Sequence, residues 1–535
     1  MKRLAVITAV AGVGLAGSAV AVSVSASAEA TPAPAAIAWA KCAGDDPYLA
    51  NAECAQIQVP LDYGHPNGKK ISVAISRVKH TDDAHYKGVL IGNPGGPGGS
   101  GLYLSGGLAS WFSGAGHDEI PADYDIIGFD PRGVGASEPA LTCDPHYSDP
   151  VRPDYVPHSA ADEAAWLKKS KAYAQACAKR FGWLLPHLRT TDAARDIDAI
   201  RSALGQKQIS YYGFSYGTYL GATYGTLFPQ RVRHMILDGN VDDRGVWYDA
   251  QLEQDKAFER NIKFFFGWVA KYDSVYHLGT TEAKVEQAYY AIRAKAGKQA
   301  IGGEVGPDEL DDTFLNAGYS TGWYEPTADV FSAYVTKGDA SAITDFYENY
   351  VFSADDNGFA MYNAVQAADA RWPRDWSTWH RDAAKLYRQG YRYNTWSNVW
   401  FNAPVAFWPF QGGPKLKIKA RGMTPALLVQ STLDAATPYP GGEEMHKLLP
   451  SRLVSEIGGK THANTLNGNA CLDDKVAAYL ATDALPKDRP GNGPDATCKA
   501  LPDPVPAGAA AKASARTSGG SVTPRVPARP LFGRP

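Results

Sequence analysis

The sequence predicts an α/β fold: a mostly parallel sheet whose strand–helix alternation is interrupted by a long helical insertion. Three observations carry this. Short apolar runs recur at 88–93 (GVLIGN), 124–130 (YDIIGFD), 209–214 (ISYYGF), 234–241 (HMILDGNV) and 424–438 (TPALLVQSTLDAATP), the pattern of strands buried on both faces. Helical periodicity separates the earlier runs, at 160–181 and 192–204, the second begun by Thr191 or Asp192 as N-cap. From about 245 to 415 the alternation lapses into helical segments, and nine of the 13 tryptophans fall there, from Trp247 to Trp408.

The run at 209–214 stops at a serine, and a helix-like segment follows at once as far as Phe228-Pro229. Strand, Gly213-Phe214-Ser215-Tyr216-Gly217, helix is the pattern of a nucleophile elbow, so the expected fold is the α/β-hydrolase fold. The serine must sit on a strained, tight turn, and the residues two before and two after must be small because strand and helix nearly touch. Gly217, Gly221 and Gly225 continue as a stripe on one helix face. Each glycine costs about 1 kcal/mol of helix propensity relative to alanine, which close packing of the helix on the sheet would offset.

Composition bounds the function. Hydrophobic content of 44% and charged content of 20% over 535 residues are those of a globular protein with a sizeable core. A net charge of -3 speaks against nucleic acid or an anionic membrane as partner. Lys2 and Arg3 precede a small, apolar run to about Val24 and then Ala26-Ser27-Ala28, an export signal with its cleavage pattern. No other stretch is long and apolar enough to span a bilayer, so the expected protein is secreted, without stable membrane insertion, and a monomer. Six cysteines suit that compartment. They lie as three sequence-near couples, Cys42 with Cys54, Cys143 with Cys177 and Cys471 with Cys498, and nearest-neighbour pairing is the expectation among the 15 connectivities possible.

The expected organisation is a signal peptide (1–28), a linker or short propeptide (29–38), a first core part (39–244), a helical cap insertion (245–415), a second core part (416–498), and a disordered Pro/Ala/Ser-rich tail (499–535). IQVPLDY and KISVAISRVKH alternate like an antiparallel hairpin turned by His65-Pro66-Asn67-Gly68. The loop after GVLIGN, Asn93-Pro94-Gly95-Gly96-Pro97-Gly98-Gly99-Ser100-Gly101, contains G-x-G-x-x-G. Pro97 fixes a backbone that a dinucleotide fingerprint needs free, and no ribose-binding acid follows in a second βαβ unit. An oxyanion loop is the better reading, its N–H groups facing developing charge without side-chain obstruction. Asp130 and Arg132, in DPRGVGAS, read as loop braces rather than catalytic groups.

A hydroxyl attacks only when a base takes its proton, and a carboxylate must hold that imidazole in one tautomer. In this fold the order is serine, acid, histidine. Of the 12 histidines only His446 and His462 follow the last buried strand. His446, within GGEEMHKLLP, reads as a solvated helix position; His462, just past a strand beside Gly458-Gly459, suits the base. Asp434 at a strand end suits the orienting acid, with Glu443 and Glu444 behind it. The oxyanion donors expected are the N–H groups of Tyr216 and of Gly95 or Gly96, Gly96 being preferred. No metal-ligand spacing appears, and no cofactor is expected.

NPGGPGGSG, GFDPRGVGAS, TTDAARDIDAIRSALG, YYGFSYGTYLGATYGTLFP, and LDAATP followed by THAN resemble the secreted bacterial tripeptidyl aminopeptidases, serine peptidases of the proline-iminopeptidase-like group, over about 39–498. The resemblance implies a triad of Ser215, Asp434 and His462, a helical cap, and release of short peptides, tripeptides among them, from free N-termini. One departure matters. Gln366 and Ala367 stand where the family commonly carries an acid and a cysteine, and Asn402 to Val405 holds no cysteine to pair with it. Asp369 remains the candidate partner for a substrate ammonium group, ahead of Glu253, Asp255 and Glu259. The competing readings are an esterase or lipase with the same triad, and a non-catalytic binding protein on a hydrolase scaffold, against which the full ordered triad speaks.

Overall fold

A computed structural model describes residues 37–351 and 356–509. The expected signal peptide lies outside the described residues. Ten strands form one sheet: β1 (Ala40–Lys41), β2 (Glu53–Pro60), β3 (Lys70–Val78), β4 (Gly88–Asn93), β5 (Tyr124–Phe129), β6 (Ile209–Phe214), β7 (Val232–Asp238), β8 (Ala426–Ser431), β9 (Ser451–Ile457) and β10 (Ala496–Lys499). Their order is β1-β2-β3-β5-β4-β6-β7-β8-β9-β10. The pairs from β1 to β5 run antiparallel, with β2 and β3 the expected hairpin. From β5 through β4 to β10 the strands are parallel. Strands β4 to β8 carry the predicted apolar runs, and every residue of β5, β6 and β8 is buried because helices cover both faces.

Register brings the ends of the central strands to one edge. Asn93 pairs with Gly213, and Phe214 with Asp238. In open parallel sheets the crevice beyond the carboxyl ends of the strands is where ligands bind.

Among the described residues every named element between β7 and β8 is helical, from Tyr248–Lys271 to Thr395–Asn402. These helices do not pack as one body. Residues from Ala257 to Tyr347, with Tyr393, share a separate hydrophobic cluster, whereas others from Phe359 to Trp408 join the core against one sheet face. The tryptophans explain part of that joint. Trp166, on the Ala160–Phe181 helix, stacks on Trp400 at 5.6 Å, and Trp400 stacks on Trp376 at 4.8 Å. Most of the tryptophans of the insertion are therefore packing residues.

The six cysteines pair as Cys42–Cys54, Cys143–Cys177 and Cys471–Cys498, the nearest-neighbour arrangement. No helix among the described residues is long and apolar enough to cross a membrane. Two expectations need correction. The tail reads as disordered from 499, but Lys499 ends β10 and the described residues continue to Ala509. Asp503 pairs with Lys460 at 2.6 Å and the Trp268 indole donates to Pro504 O at 2.8 Å, anchors that proline-rich composition does not reveal. The helix expected to be capped by Thr191 or Asp192 runs Thr190–Ala203, with Arg189 at the N-cap and no side-chain bond from it. Asp369, distant in sequence, accepts from the Thr190 N–H at 2.7 Å instead.

Candidate active site

The elbow is built as its sequence requires. Ser215 joins β6 to the Tyr216–Leu227 helix at φ 55° and ψ -124°, a conformation that costs a non-glycine residue on the order of 1–3 kcal/mol. Its neighbours hold it there: the Ser215 N–H donates to Asp238 O at 2.9 Å, and Ser215 O accepts the Thr218 hydroxyl at 2.6 Å. A Cβ on Gly217 would lie 2.8 Å from Asn93 O, and one on Gly221 2.6 Å from the Tyr211 ring. The glycine stripe is thus the surface by which the helix reaches the sheet.

The predicted acid and base meet. Asp434, fully buried on the loop after β8, lies with Oδ2 2.8 Å and Oδ1 3.0 Å from His462 Nδ1. Oδ1 also accepts from the N–H groups of Ala436 and Thr437, and Oδ2 from the Thr437 hydroxyl. A carboxylate so held keeps the imidazole proton on Nδ1 and leaves the other ring nitrogen as a base. Asp238 and Gly239 link this pair to the elbow. Asp238 O bonds Ser215, while Gly239, at φ 71°, packs so closely on His462 that a Cβ there would be 3.0 Å from Cε1.

The loop after β4 delivers Gly95 and Gly96 beside the serine, at φ 100° and 106°. A Cβ on Gly95 would lie 2.9 Å from Ser215 Cβ and 3.0 Å from Tyr216 N. The Gly95 N–H is engaged by Asn93 Oδ1 at 3.1 Å, whereas no acceptor among the described residues takes the N–H of Gly96 or Tyr216. Asp130 and Arg132 are braces. Asp130 accepts from Ser100 and Gly101 of the same loop and from Ala136 of its own turn, and Arg132 is buried against Asp196 at 2.6 Å.

His446 lies elsewhere and is not solvated: its side chain is mostly buried, with Nδ1 2.8 Å from Ser451 Oγ, because its helix packs on β9. Glu444 pairs with Lys447 at 3.3 Å on the same helix.

A cavity of about 480 Å³ opens over Ser215, Tyr216 and Gly96. Val241, Trp247, Phe258, Leu315 and Phe401 supply apolar wall, Asp242, Asp249 and Glu253 acid, and Arg244 one cation. Gln366 lines it too, beside Gln251, Asn394 and Asn398, so neutral amides occupy the wall where an acid was expected. Asp369 does not line the cavity. Both its carboxylate oxygens are taken by Thr190, at 2.7 Å from the N–H and 2.5 Å from the hydroxyl, so it is not placed to meet a substrate ammonium group. Asp255 and Glu259 are buried outside the cavity; Glu253 reaches it.

Sequence reasoning missed the groups that hold the loops of Asp434 and His462. Asn261 Nδ2 donates to Gly318 O, Leu433 O and Lys460 O, and Arg260 donates to Leu433 O and Asp434 O, tying the loops before Asp434 and His462 to the Tyr248–Lys271 helix. Asp238 was likewise passed over. It accepts from Thr465 N–H and hydroxyl, and burial pushes its carboxyl up to about 7. An acid directly after the apolar run Met235-Ile236-Leu237 is its sequence signal.

Residues 88–467 match the family model for the alpha/beta hydrolase fold. The chain is 43% identical over 457 residues to a tripeptidyl aminopeptidase of Streptomyces coelicolor, covering 83% of this chain and 84% of that one. It is 30% identical over 481 residues to the serine protease Hip1 of Mycobacterium tuberculosis, covering 84% and 89%. Carboxylesterase B of the same organism is 30% identical over 474 residues, covering 84% and 88%. By its fold and by these relatives the chain is a serine hydrolase, and it belongs to the α/β-hydrolase family, among the serine peptidases that include the Streptomyces tripeptidyl aminopeptidases.

Proposed function

We propose that this protein is an exported serine exopeptidase that releases short peptides, tripeptides among them, from free N-termini, with Ser215 as nucleophile, His462 as general base and Asp434 as its orienting acid. The observation that carries the reading is the buried Asp434–His462 contact of 2.8 Å, set against the same turn that holds the strained Ser215. Ser215 Oγ attacks the scissile carbonyl as His462 takes its proton. The N–H groups of Gly96 and Tyr216 receive the oxyanion, and His462 returns the proton to the leaving amine. Water, activated by the same histidine, then hydrolyses the acyl-enzyme. The helices from about 245 to 415 act as the cap, bounding the cleft through Trp247, Phe258 and Phe401. Of the acids along the cleft, Asp242 pairs with Arg244 and Glu253 with Lys256, each at 2.6 Å, so Asp249 is the one that favours a substrate carrying a free ammonium group. Three disulfides suit export to an oxidising compartment.

An esterase is the second reading, favoured by the largely apolar cleft wall. Stoichiometric labelling of Ser215 by a fluorophosphonate, abolished in Ser215→Ala, tests the nucleophile. Comparing a free with an N-acetylated tripeptidyl anilide then tests exopeptidase action. Equal turnover of both would remove the requirement for a free N-terminus, and turnover of nitrophenyl esters alone would favour the esterase.

A further inference from the structure

Behind the elbow a line of polar groups has no part in the triad. The Tyr216 side chain turns away from solvent into the core, and its phenol lies 2.7 Å from Thr190 Oγ1. Thr190 Oγ1 in turn lies 2.5 Å from Asp369 Oδ2, and Asp369 Oδ1 accepts the Thr190 N–H. The three residues come from three elements: the elbow helix, the Thr190–Ala203 helix and the Asn357–Asp369 helix of the insertion. Capping the Thr190 helix needs only the N–H contact; it does not explain why the hydroxyl chain continues to the residue after Ser215.

We propose that Asp369 and Thr190 are positioning residues that hold the Tyr216 phenol, and through it the Tyr216 amide, in register with the Ser215 oxyanion. This rests on the reading of Ser215 as nucleophile and of the Tyr216 N–H as oxyanion donor. Proton counting fixes the polarity of the chain. An ionised carboxylate only accepts, so the single Thr190 hydroxyl proton goes to Asp369 and the Tyr216 phenol must donate to Thr190. Tyr216 is the first residue of its helix, so its side chain and its unengaged N–H hang on one Cα at a strained junction. Gly95 packs against that N–H with no room for a Cβ, so a rotation of Tyr216 misaligns the amide with the loop that supplies the other donor. Oxyanion contacts depend on such preorganisation.

The arrangement is sensitive to protonation. Burial pushes the Asp369 carboxyl up to about 7, against the pull of the Thr190 donors and the Trp247 indole, with Asp192 of the Thr190 helix adding to the rise. Tyr219 also faces Asp369, and both it and Tyr216 are raised far above the ordinary phenol, chiefly by burial, so both stay neutral. A protonated Asp369 can donate to Thr190 Oγ1 and turn the Thr190 proton toward Tyr216, reversing the chain. The aligned state is therefore the one above about pH 7.

The test is the second-order rate of Ser215 labelling by a fluorophosphonate, whose phosphonyl oxygen uses the same donors and which needs no peptide recognition. Tyr216→Phe removes only the phenol oxygen and keeps the ring; Thr190→Val removes the hydroxyl; Thr190→Ser restores it. Labelling slows about tenfold in Tyr216→Phe and Thr190→Val, the rate equivalent of about one lost hydrogen bond, and recovers in Thr190→Ser. Between pH 5 and 9 the wild type shows, beside the ionisation of the His462 base that both proteins share, a second one near 7 that Asp369→Asn lacks. A role confined to helix capping lowers thermal stability and leaves the labelling rate of folded protein unchanged in Tyr216→Phe, which overturns the proposal. If Thr190→Val does not fold, Tyr216→Phe decides alone. A wild type that does not label at all removes Ser215 as nucleophile, a result distinct from normal labelling that is indifferent to Tyr216.

Discussion

His462 Nδ1 lies 2.8 Å from Asp434 Oδ2, and both side chains are buried, on loops that follow different strands. The contact makes the imidazole tautomer depend on one carboxylate. In Asp434→Asn the side-chain oxygen can still accept from Ala436 and Thr437, but the amide can present a donor to the ring and favour the other tautomer. We expect the variant to fold and kcat to fall by about 10⁴, as tautomer loss does in serine peptidases. Steady-state kinetics on a free tripeptidyl anilide reads this, and a loss below tenfold would show that Asp434 does not orient the base.

The elbow predicts a steric result. Gly217 leaves no room for a side chain against Asn93 O and Oδ1, each 2.8 Å from where a Cβ would stand. Gly217→Val should lower stability by about 1–3 kcal/mol through overpacking and slow labelling of whatever protein folds. Urea unfolding monitored by tryptophan fluorescence gives the first number; an unchanged midpoint contradicts the packing derived for the helix.

Asn261 spans the insertion and the loops of Asp434 and His462 through three carbonyls, of Gly318, Leu433 and Lys460. Asn261→Ala removes the side-chain donor to Gly318 O and Lys460 O, while Leu433 O keeps Arg260, at a cost of about 1–3 kcal/mol. Because Lys460 and Leu433 adjoin His462 and Asp434, the proposed base and acid, kcat should fall more than KM rises. A variant that loses stability but keeps kcat would confine Asn261 to packing.

Asp238 sets a pH dependence of stability. Burial pushes its carboxyl up to about 7 in the folded protein, against about 3.9 in an unfolded chain. Between those values the folded state holds the extra proton, so this group's contribution is fully present below about pH 4 and lost as pH rises to 7, by at most about 1.4 kcal/mol per unit. Asp238→Asn should flatten the slope of unfolding free energy between pH 4 and 7. Parallel slopes in wild type and variant would contradict it.

Gln366 stands in the cleft wall, accepting from Gln251 Nε2 at 3.1 Å. Gln366→Glu keeps that acceptor and adds a charge. KM for the free tripeptidyl anilide should fall about tenfold, the worth of a charge-assisted hydrogen bond, with no gain for the acetylated one. An equal change in both would place the ammonium group elsewhere.

The sequence by itself determined the local chemistry. A buried strand that stops at Gly213-Phe214-Ser215-Tyr216-Gly217 can pass into a helix only through a strained turn, and close strand–helix contact demands the glycines, so the elbow was legible from five residues. The order of Asp434 and His462 after Ser215 was legible for the same reason, as each ends or follows an apolar strand. Tertiary structure decided which polar residues share a place. Asp369 reads as a free acid near a cleft, yet it is taken up by Thr190, 179 positions away. Asn261 and Asp238 read as ordinary residues, yet they hold the loops that carry Asp434 and His462. The proline-rich stretch after Cys498 reads as structureless to its end, yet Asp503 and Pro504 are anchored by Lys460 and Trp268. Strand and helix periods are set by neighbours in the chain, whereas the partner of a buried carboxylate or amide is set by the packing of elements far apart in sequence, which no local pattern records.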